Sequence, residues 1–454
     1  MIPDHPREVA TVSPILPDEA IRAILAERID THRQSHGIVV GIIAPHGRRV
    51  VAHGRMGRDD PRPVETDTLF EIGSITKPFT ALLLADMAVR GEVALADPLA
   101  KYLPGGVDVA QRSGRAVTLA DLATHTSGLP SLPDDFAPRD IGNPYADYTL
   151  AQLYGFLSRF VPAAEIGTTF DYSNLGYGLL GQALAHRAGT GYAGLVAARI
   201  AAPLGMTSTM IAVTGEASDR FAPAHGADLA PVAHWDLPAL AGAGALRSTA
   251  RDLMHFVEAA LGYRESRLAE AFAAMLKLRR PTGIPGAAIG LGWMIEEIEG
   301  DTLVWHNGGT GGHRSFAGYR VRTGTGVVVL SNTSAQLGID DIGRHLLDGR
   351  LPLAAPPKPR VAVALPADRL EPHVGRYRLA PDLVLAVTRE DARLFVQATG
   401  QPKIEIFAEG PAAFFAREVD AQFVFEMDGT GRAGRVILHQ GGGTAPAERL
   451  PDET

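Results

Sequence analysis

Apolar and polar positions alternate with two different periods along the chain. Within residues 18–36 apolar side chains recur three or four positions apart, which predicts an amphipathic helix. Two β-like segments follow at Ile38–Pro45 and Arg49–Ala52, separated by the turn residues His46-Gly47. The same reasoning predicts helices at about Ser74–Arg90, Thr118–His125, Leu175–Ala188, Ser248–Leu261 and Ile339–Leu347, and strands at Thr302–His306, Arg314–Arg322 and Gly326–Asn332.

Strands and a helix therefore lie at both ends of residues 18–350, with a loop-rich and partly helical stretch at about 95–300. This order predicts a mixed α/β (α+β) domain whose sheet combines both chain ends. Prolines then mark a linker, and short β-like segments beyond it predict an antiparallel β-domain, a barrel or a sandwich. These segments are Val374–Leu379, Leu383–Thr388, Leu394–Ala398, Ile404–Phe407, Ala413–Arg417, Gln422–Glu426 and Gly434–His439. The predicted domain limits are 1–355 for the first domain, 356–364 for the linker and 365–454 for the β-domain.

Composition excludes several classes of function. The chain has 454 residues and a formal charge of −8, which argues against a nucleic-acid partner because such proteins normally carry a basic face. The absence of cysteine excludes disulfides, thiolate zinc sites and a cysteine nucleophile. No secretory signal and no run of 18 apolar residues is present, so we expect no membrane span and a cytoplasmic location. A periplasmic or secreted location is the alternative if a signal peptide has been removed.

The first candidate motif is Ser74-Ile75-Thr76-Lys77, at the predicted start of a helix. Positions three residues apart share a helix face, so the Lys77 amine can reach the Ser74 hydroxyl. Serine becomes nucleophilic when a base takes its proton, and lysine can serve once its pKa is lowered. Gly73 permits a tight entry into the helix, whose N-terminal N–H groups then face developing negative charge. The alternative interpretation is a helix N-cap followed by an exposed lysine.

The second motif is Tyr172-Ser173-Asn174, directly before an apolar helix. Tyr172 can relay a proton to a leaving group, and Asn174 can hydrogen-bond a substrate amide. The alternative interpretation is a buried tyrosine with a helix-capping asparagine.

The third motif, His306-Asn307-Gly308-Gly309, follows a predicted strand. Glycines here let the backbone approach a ligand closely, and the N–H of Gly309 can pair with that of the serine as an oxyanion hole. His306 can hydrogen-bond the tyrosine of the second motif or contact substrate. The alternative interpretation is a β-turn with an incidental histidine.

Metal and cofactor chemistry finds no support in the sequence pattern. His125 and His313 have no metal-ligand spacing with partners, so no metal site and no cofactor is predicted. His125 is expected to be a structural hydrogen-bonding residue. Zincin, α/β-hydrolase and phosphate-loop motifs do not occur.

The three motifs together resemble the serine β-lactamase and penicillin-binding-protein superfamily. The branch that the chain looks most like contains class C β-lactamases, family VIII carboxylesterases and D-aminopeptidase-like proteins. Phe70–Thr80 is a characteristic nucleophile segment, and Leu122–Pro130, Pro203–Met206 and Ala243–Leu253 are similar to other stretches of the branch. All of these segments stand in family order within about residues 18–350.

The resemblance implies a β-lactamase-like antiparallel sheet with flanking helices and an inserted helical subdomain, with the active site at their junction. It implies that Ser74 is acylated, that Lys77 and Tyr172 share the general-base and general-acid work, and that Asn174 orients substrate. The complete set of expected site residues is Ser74, Lys77, Tyr172, Asn174, His306, Gly308 and Gly309. Residues 365–454 resemble the lipocalin-like barrel appended to some D-aminopeptidase-like members.

One departure from the family pattern bears on the substrate. Class C β-lactamases usually carry lysine where this chain has His306, and that lysine helps to bind a substrate carboxylate. We therefore expect an esterase or a D-amino-acid peptidase or amidase acting on a small molecule or peptide. The alternatives are a β-lactamase or D-Ala-D-Ala carboxypeptidase, a catalytically idle binding protein, and a sugar- or lipid-binding role of the C-terminal domain. Assembly into a homo-oligomer stays open.

Overall fold

The computed structural model describes residues 16–451 except 336, 356–359, 381–382, 400–402, 418, 420 and 441–442. The chain forms two compact units, Met1–Ala355 and Pro356–Thr454. The N-terminal stretch in which no secretory signal was predicted lies outside the described residues up to position 15, and so do residues 356–359 of the predicted linker.

The first unit combines one large sheet with a set of helices. Its described α-helices are α1 (Asp18–Ala26), α2 (Thr76–Val89), α3 (Leu119–Ala123), α4 (Leu150–Arg159), α5 (Asn174–Ala188), α6 (Tyr192–Val196), α7 (Ala202–Leu204), α8 (Ala241–Gly244), α9 (Ala250–Ala260), α10 (Ala269–Met275) and α11 (Asp340–Leu347). Its described strands are β1 (Gly37–Ala44), β2 (Gly47–Gly54), β3 (Phe70–Glu71), β4 (Arg247–Ser248), β5 (Arg280–Pro281), β6 (Ala287–Ile289), β7 (Met294–Ile298), β8 (Asp301–Gly309), β9 (Arg314–Arg320) and β10 (Thr325–Ser331).

Eight of these strands form one antiparallel sheet in the order β2-β1-β10-β9-β8-β7-β6-β5. The N-terminal hairpin thus joins the later strands through β1, whose Val40 lies opposite Val329 of β10. This topology confirms the prediction that the sheet combines both chain ends. It leaves most of the intervening helices as an insertion between the two halves of the sheet.

Strand β1 is apolar throughout because both of its faces are covered. Ile38, Val40 and Ile42 belong to a buried cluster with residues of α1 and α11. Val39 and Ile43 belong to the main core, which includes residues of α9 and α2. The same core holds most of the helical insertion, so the sheet and the helices share one hydrophobic interior.

Several elements differ from their sequence predictions. The helix predicted over 18–36 ends at Ala26 as α1 and continues only as a π-helical turn to Thr31. Strands β5, β6 and β7 lie in the stretch that was expected to contain loops and helices. Each of these strands has at most five residues, which is too short for a period of two to stand out from the sequence.

The second unit is a closed antiparallel barrel, which confirms the barrel alternative for the C-terminal β-domain. Its described strands are β11 (Gly375–Ala380), β12 (Leu383–Glu390), β13 (Arg393–Ala398), β14 (Lys403–Ala408), β15 (Ala413–Ala416), β16 (Ala421–Met427), β17 (Ala433–Gln440) and β18 (Gly443–Arg449), preceded by a short helix α12 (Ala367–Leu370). Pairing of Tyr377 with Arg449 closes the barrel between its first and last strands. Strand β18 was not predicted, because glycine, alanine and Pro446 are poor strand formers.

The length and composition of the described helices bear on whether any of them could span a membrane. Within the part of the chain that the structure describes, no helix combines the length and the apolar character needed to cross a bilayer. The cytoplasmic location stays a prediction from the sequence.

Candidate active site

Ser74 lies at the junction between strand β3 and helix α2. The predicted helix does not begin at Ser74 in α form, because a 3₁₀ turn over Gly73–Ile75 precedes Thr76. Gly73 has a φ of +47°, a left-handed conformation that favours glycine. A Cβ atom at Gly73 would stand 2.7 Å from both the N and the O of Gly309. The Gly73–Ile75 turn, termed the nucleophile turn because Ser74 is the expected nucleophile, therefore lies directly against the third motif.

Lys77 is fully buried one helical turn beyond Ser74, so the interpretation of an exposed lysine is wrong. Its Nζ lies 2.9 Å from Ser74 Oγ, 2.8 Å from Asn174 Oδ1 and 2.9 Å from Ala243 O. Burial lowers the pKa of Lys77 well below its ordinary value. The two carbonyl oxygens can accept both N–H groups of a neutral amine, which leaves its lone pair facing the Ser74 hydroxyl. The arrangement can thus take a proton from Ser74.

Tyr172 is packed beside this pair by the ring of His125. The two ring centroids lie 4.4 Å apart in a stacked arrangement, and Lys77 Nζ lies 4.8 Å from the Tyr172 ring centroid. His125 Nδ1 accepts a hydrogen bond from the N–H of Ser173 at 3.0 Å, as expected of a structural hydrogen-bonding residue. Burial raises the pKa of Tyr172 above its ordinary value, opposed by a hydrogen bond with Ser74. Tyr172 is therefore a neutral phenol that can donate a proton.

Asn174 does not cap helix α5. The cap is Ser173, whose Oγ accepts the N–H of Gly176 at 2.8 Å. The Asn174 side chain instead contacts Lys77, and the interpretation of Asn174 as a capping residue is wrong.

The third motif lies within strand β8 rather than in a turn after a strand. Gly308 and Gly309 pair with Ser315 and Arg314 of β9. A Cβ atom at Gly308 would stand 2.1 Å from Ile72 O, and Ser315 Oγ donates to the same carbonyl at 2.7 Å. Strand β8 therefore runs against the nucleophile turn, which only glycine allows at this distance.

His306 is buried and held by its own neighbour. Its Nδ1 lies 2.5 Å from Asn307 O, while the ring centroids of His306 and Tyr172 are 6.3 Å apart. His306 Nδ1 donates to the backbone carbonyl of Asn307, so this nitrogen does not make the hydrogen bond to Tyr172 that was one of the two roles predicted for His306. Burial lowers the pKa of His306 to about 3, so the ring is neutral at physiological pH.

The structure brings together all seven residues that the sequence singled out, and it adds two groups that sequence reasoning missed. The first is the carbonyl of Ala243, a hydrogen-bond acceptor for Lys77. The second is the guanidinium of Arg314, whose Nη1 would stand 2.5 Å from a Cβ atom at Gly309 and donates to Thr310 O at 3.2 Å. The register of β8 and β9 is the feature that places Arg314 there, and the sequence alone does not give it.

Comparison with known families decides the classification of the chain. A family model described as Beta-lactamase matches residues 19–349. The chain belongs to the β-lactamase family. A second model, a domain of unknown function (DUF3471), matches residues 359–451.

Relatives of this β-lactamase-family chain include a protein named as a penicillin-binding protein and proteins named as carboxypeptidases. Penicillin-binding protein 4* of Bacillus subtilis is 26% identical over 94% of this chain and 98% of its own length. The D-alanyl-D-alanine-carboxypeptidase/endopeptidase AmpH of Escherichia coli (strain K12) is 31% identical over 64% of this chain and 80% of its own. A crystal structure of a β-lactamase/D-alanine carboxypeptidase from Yersinia pestis is 28% identical with a TM-score of 0.61, covering 70% of this chain and 92% of the other. The chain is accordingly a serine hydrolase, and the expectation of an enzyme is confirmed.

Proposed function

We propose that this enzyme hydrolyses an ester or amide bond through a covalent acyl-Ser74 intermediate. The observation that carries the proposal is the buried Lys77 amine, 2.9 Å from Ser74 Oγ and fixed by two carbonyl oxygens. In the first step Ser74 Oγ attacks the substrate carbonyl carbon while Lys77 accepts the hydroxyl proton. The resulting negative oxygen is stabilised by the N–H groups of Ser74 and Gly309.

Tyr172 completes the first half of the reaction. Lys77 returns its proton through the Tyr172 phenol to the leaving alkoxide or amine, and the carbonyl–leaving-group bond breaks. Water then attacks the acyl-Ser74 ester with Lys77 and Tyr172 as base, and the proton returns to Ser74 Oγ. A phenol with a raised pKa suits this relay, because it stays protonated until a stronger base forms beside it.

The neutral character of His306 supports a substrate without a carboxylate at the position that the third motif contacts. A buried imidazole with a pKa of about 3 carries no charge at pH 7 and cannot form an ion pair there. This supports an esterase or a D-amino-acid peptidase or amidase. Asn174 accepts a hydrogen bond from Lys77 through Oδ1, and its side-chain amide N–H groups can donate to a substrate carbonyl.

Arg314 supports a second candidate, a D-Ala-D-Ala carboxypeptidase or a β-lactamase. Its guanidinium lies beside Gly309 and would supply the positive charge that His306 lacks. The names of the Escherichia coli and Yersinia pestis relatives point to the same substrates.

A matched pair of acyl-D-Ala-D-Ala peptides separates the two candidates, one with a free C-terminal carboxylate and one with a carboxamide. The first candidate predicts that kcat/KM for the carboxamide and for p-nitrophenyl esters equals or exceeds that for the carboxylate. The second predicts a preference for the carboxylate and for nitrocefin that Arg314→Gln abolishes. Arg322→Gln, which removes an exposed arginine just beyond β9, is the control for net charge.

A further inference from the structure

A second cluster of ionisable side chains lies behind the nucleophile turn. Glu71 precedes the serine by three residues, His234 comes from the segment before α8, and His313 from the connection between β8 and β9. One carboxylate oxygen and one ring nitrogen from each histidine lie within 4.8 Å of one another. The reaction proposed above uses none of these three side chains.

We propose that Glu71, His234 and His313 bind a divalent transition-metal ion, with zinc as the expected occupant. Two imidazoles and one carboxylate are a donor set that zinc takes in proteins, with a fourth position left for water. The sequence predicted no metal site, because the three ligands are far apart along the chain and follow no local spacing.

The distances within the cluster are long for hydrogen bonds, although His313 Nδ1 and Glu71 Oε2 are within hydrogen-bonding distance, and they match the separation of ligand atoms around one ion. Glu71 Oε1 lies 3.4 Å from His234 Nδ1, and Glu71 Oε2 lies 3.3 Å from His313 Nδ1. Ligand atoms of a tetrahedral zinc site with bonds of about 2.0–2.1 Å stand roughly 3.3–3.4 Å apart. By contrast, the surface pair His53 and Asp30 forms an ordinary contact of 2.7 Å. Within the described residues, His234 Nδ1 is buried and has no hydrogen-bond partner.

The protonation states of Glu71 and His313 also suit a metal ion, which binds carboxylates and neutral imidazoles. Burial raises the pKa of Glu71, but its contacts with His234, His313 and Thr310 hold that pKa well below the ordinary range. Burial lowers the pKa of His313 despite the neighbouring carboxylate.

Groups around Glu71 orient its carboxylate as outer-shell partners of a metal site do. Trp235 N donates to Oε1 at 2.8 Å, and Thr310 Oγ1 donates to Oε2 at 2.6 Å. Arg247 Nη2 lies 3.5 Å from Oε1, and its charge is also paired with Asp236 Oδ1 at 3.1 Å.

Aromatic neighbours hold the two imidazole rings in place. Phe221 stacks on His234 with centroids 4.0 Å apart, and Phe70 packs edge-on against His313 at 5.9 Å. A metal ion at this point would join the strand leading to the nucleophile, the connection after Gly309 and the segment before α8. The site therefore fits a structural ion that keeps the nucleophile turn and strand β8 together.

The test uses the full-length protein, treated with a chelator and then titrated with Zn²⁺ alone. We expect calorimetry and elemental analysis to give one zinc per chain, and zinc to raise the thermal unfolding temperature. X-ray absorption should show two imidazole nitrogens and carboxylate oxygen at about 2.0–2.1 Å. Failure of the chelated, folded protein to take up zinc, or a zinc spectrum without imidazole, would overturn the proposal.

Two variants and one control assign the ligands. His234→Phe and His313→Phe keep an aromatic ring against its neighbours and should weaken zinc binding by more than the roughly 10–100-fold lost with an outer-shell partner. His255→Phe is the control, because His255 is also buried with an unpartnered Nδ1 among the described residues but lies outside the cluster. Zinc affinity unchanged in both folded variants would also overturn the proposal. If the variants do not fold, the titration and absorption spectrum of the parent protein decide it, and neither depends on hydrolytic activity.

Discussion

Replacing Gly73 by alanine tests how closely the nucleophile turn is fitted to strand β8. The added Cβ atom would stand 2.7 Å from the N and O of Gly309, roughly 0.7 Å closer than an ordinary contact of 3.4 Å. Both contacting atoms are backbone, so no side chain can rotate away, and the turn and the strand must separate. Alanine must also adopt a φ near +47°, which costs about 1–2 kcal/mol.

The separation acts on the two backbone N–H groups proposed to bind the oxyanion. Such donors work at about 2.7–3.1 Å from the negative oxygen, so a shift of this size takes one of them out of range. Loss of one oxyanion-hole donor lowers kcat by about 10²–10³. We therefore expect Gly73→Ala to lower kcat for a p-nitrophenyl ester by that factor while the protein still folds.

Gly91→Ala is the matched control for backbone strain. Gly91 follows helix α2 with a φ of +70°, and a Cβ atom there would meet nothing within 4 Å. Stopped-flow ester hydrolysis gives kcat, and thermal unfolding measures the shared cost of the strained φ. Both variants should lose stability, and only Gly73→Ala should lose kcat. A Gly73→Ala enzyme with the parent's kcat, or equal kcat losses in the two variants, would refute the reasoning.

Three further predictions concern the base, the third motif and the barrel. Lys77→Met should lower kcat/KM by about 10²–10⁴, the usual contribution of a positioned base. In the parent, activity should be lost as pH falls through the pKa of Lys77, which lies well below its ordinary value. A pH–rate profile whose acid limb is unchanged in Lys77→Met would contradict this prediction. The pKa of His306 is about 3 in the folded protein and about 6.5 in the unfolded chain, so between pH 6.5 and pH 3 this histidine is protonated only in the unfolded chain. The thermal unfolding temperature should therefore fall as the pH is lowered from about 6.5 to about 3. It should fall less steeply in a folded His306→Asn variant. A chain ending at Ala355 contains every proposed site residue and should hydrolyse the ester at the parent's rate; a folded truncated chain without activity would assign the barrel a part in hydrolysis.

Local patterns predicted those parts of the fold that depend on neighbouring residues. Helix α5 ends at Gly189, as the sequence predicted, because Gly189 adopts the left-handed conformation with a φ of +66°. Thr249 caps α9 by accepting the N–H of Asp252. Strands β5–β7 and β18 could not be predicted in this way, because their pairing with distant or closing strands, rather than their own composition, stabilises them.

In the candidate site, too, contacts between residues close in sequence could be predicted, and contacts that depend on the tertiary fold could not. The spacing of Ser74 and Lys77 follows from helix geometry, so their contact could be predicted from the sequence. The Ala243 carbonyl could not, because every residue carries the same backbone acceptor. The position of Arg314 beside Gly309 depends on the register between β8 and β9, and only the folded sheet fixes it.

Covalent labelling of the serine tests the central claim most directly. The protein is mixed with a fluorophosphonate or a penicillin, its intact mass is measured, and the modified peptide is then sequenced by mass spectrometry. We predict a single adduct on the oxygen of Ser74, and neither adduct nor turnover in Ser74→Ala. An adduct on another residue, or undiminished hydrolysis by Ser74→Ala, would contradict the account.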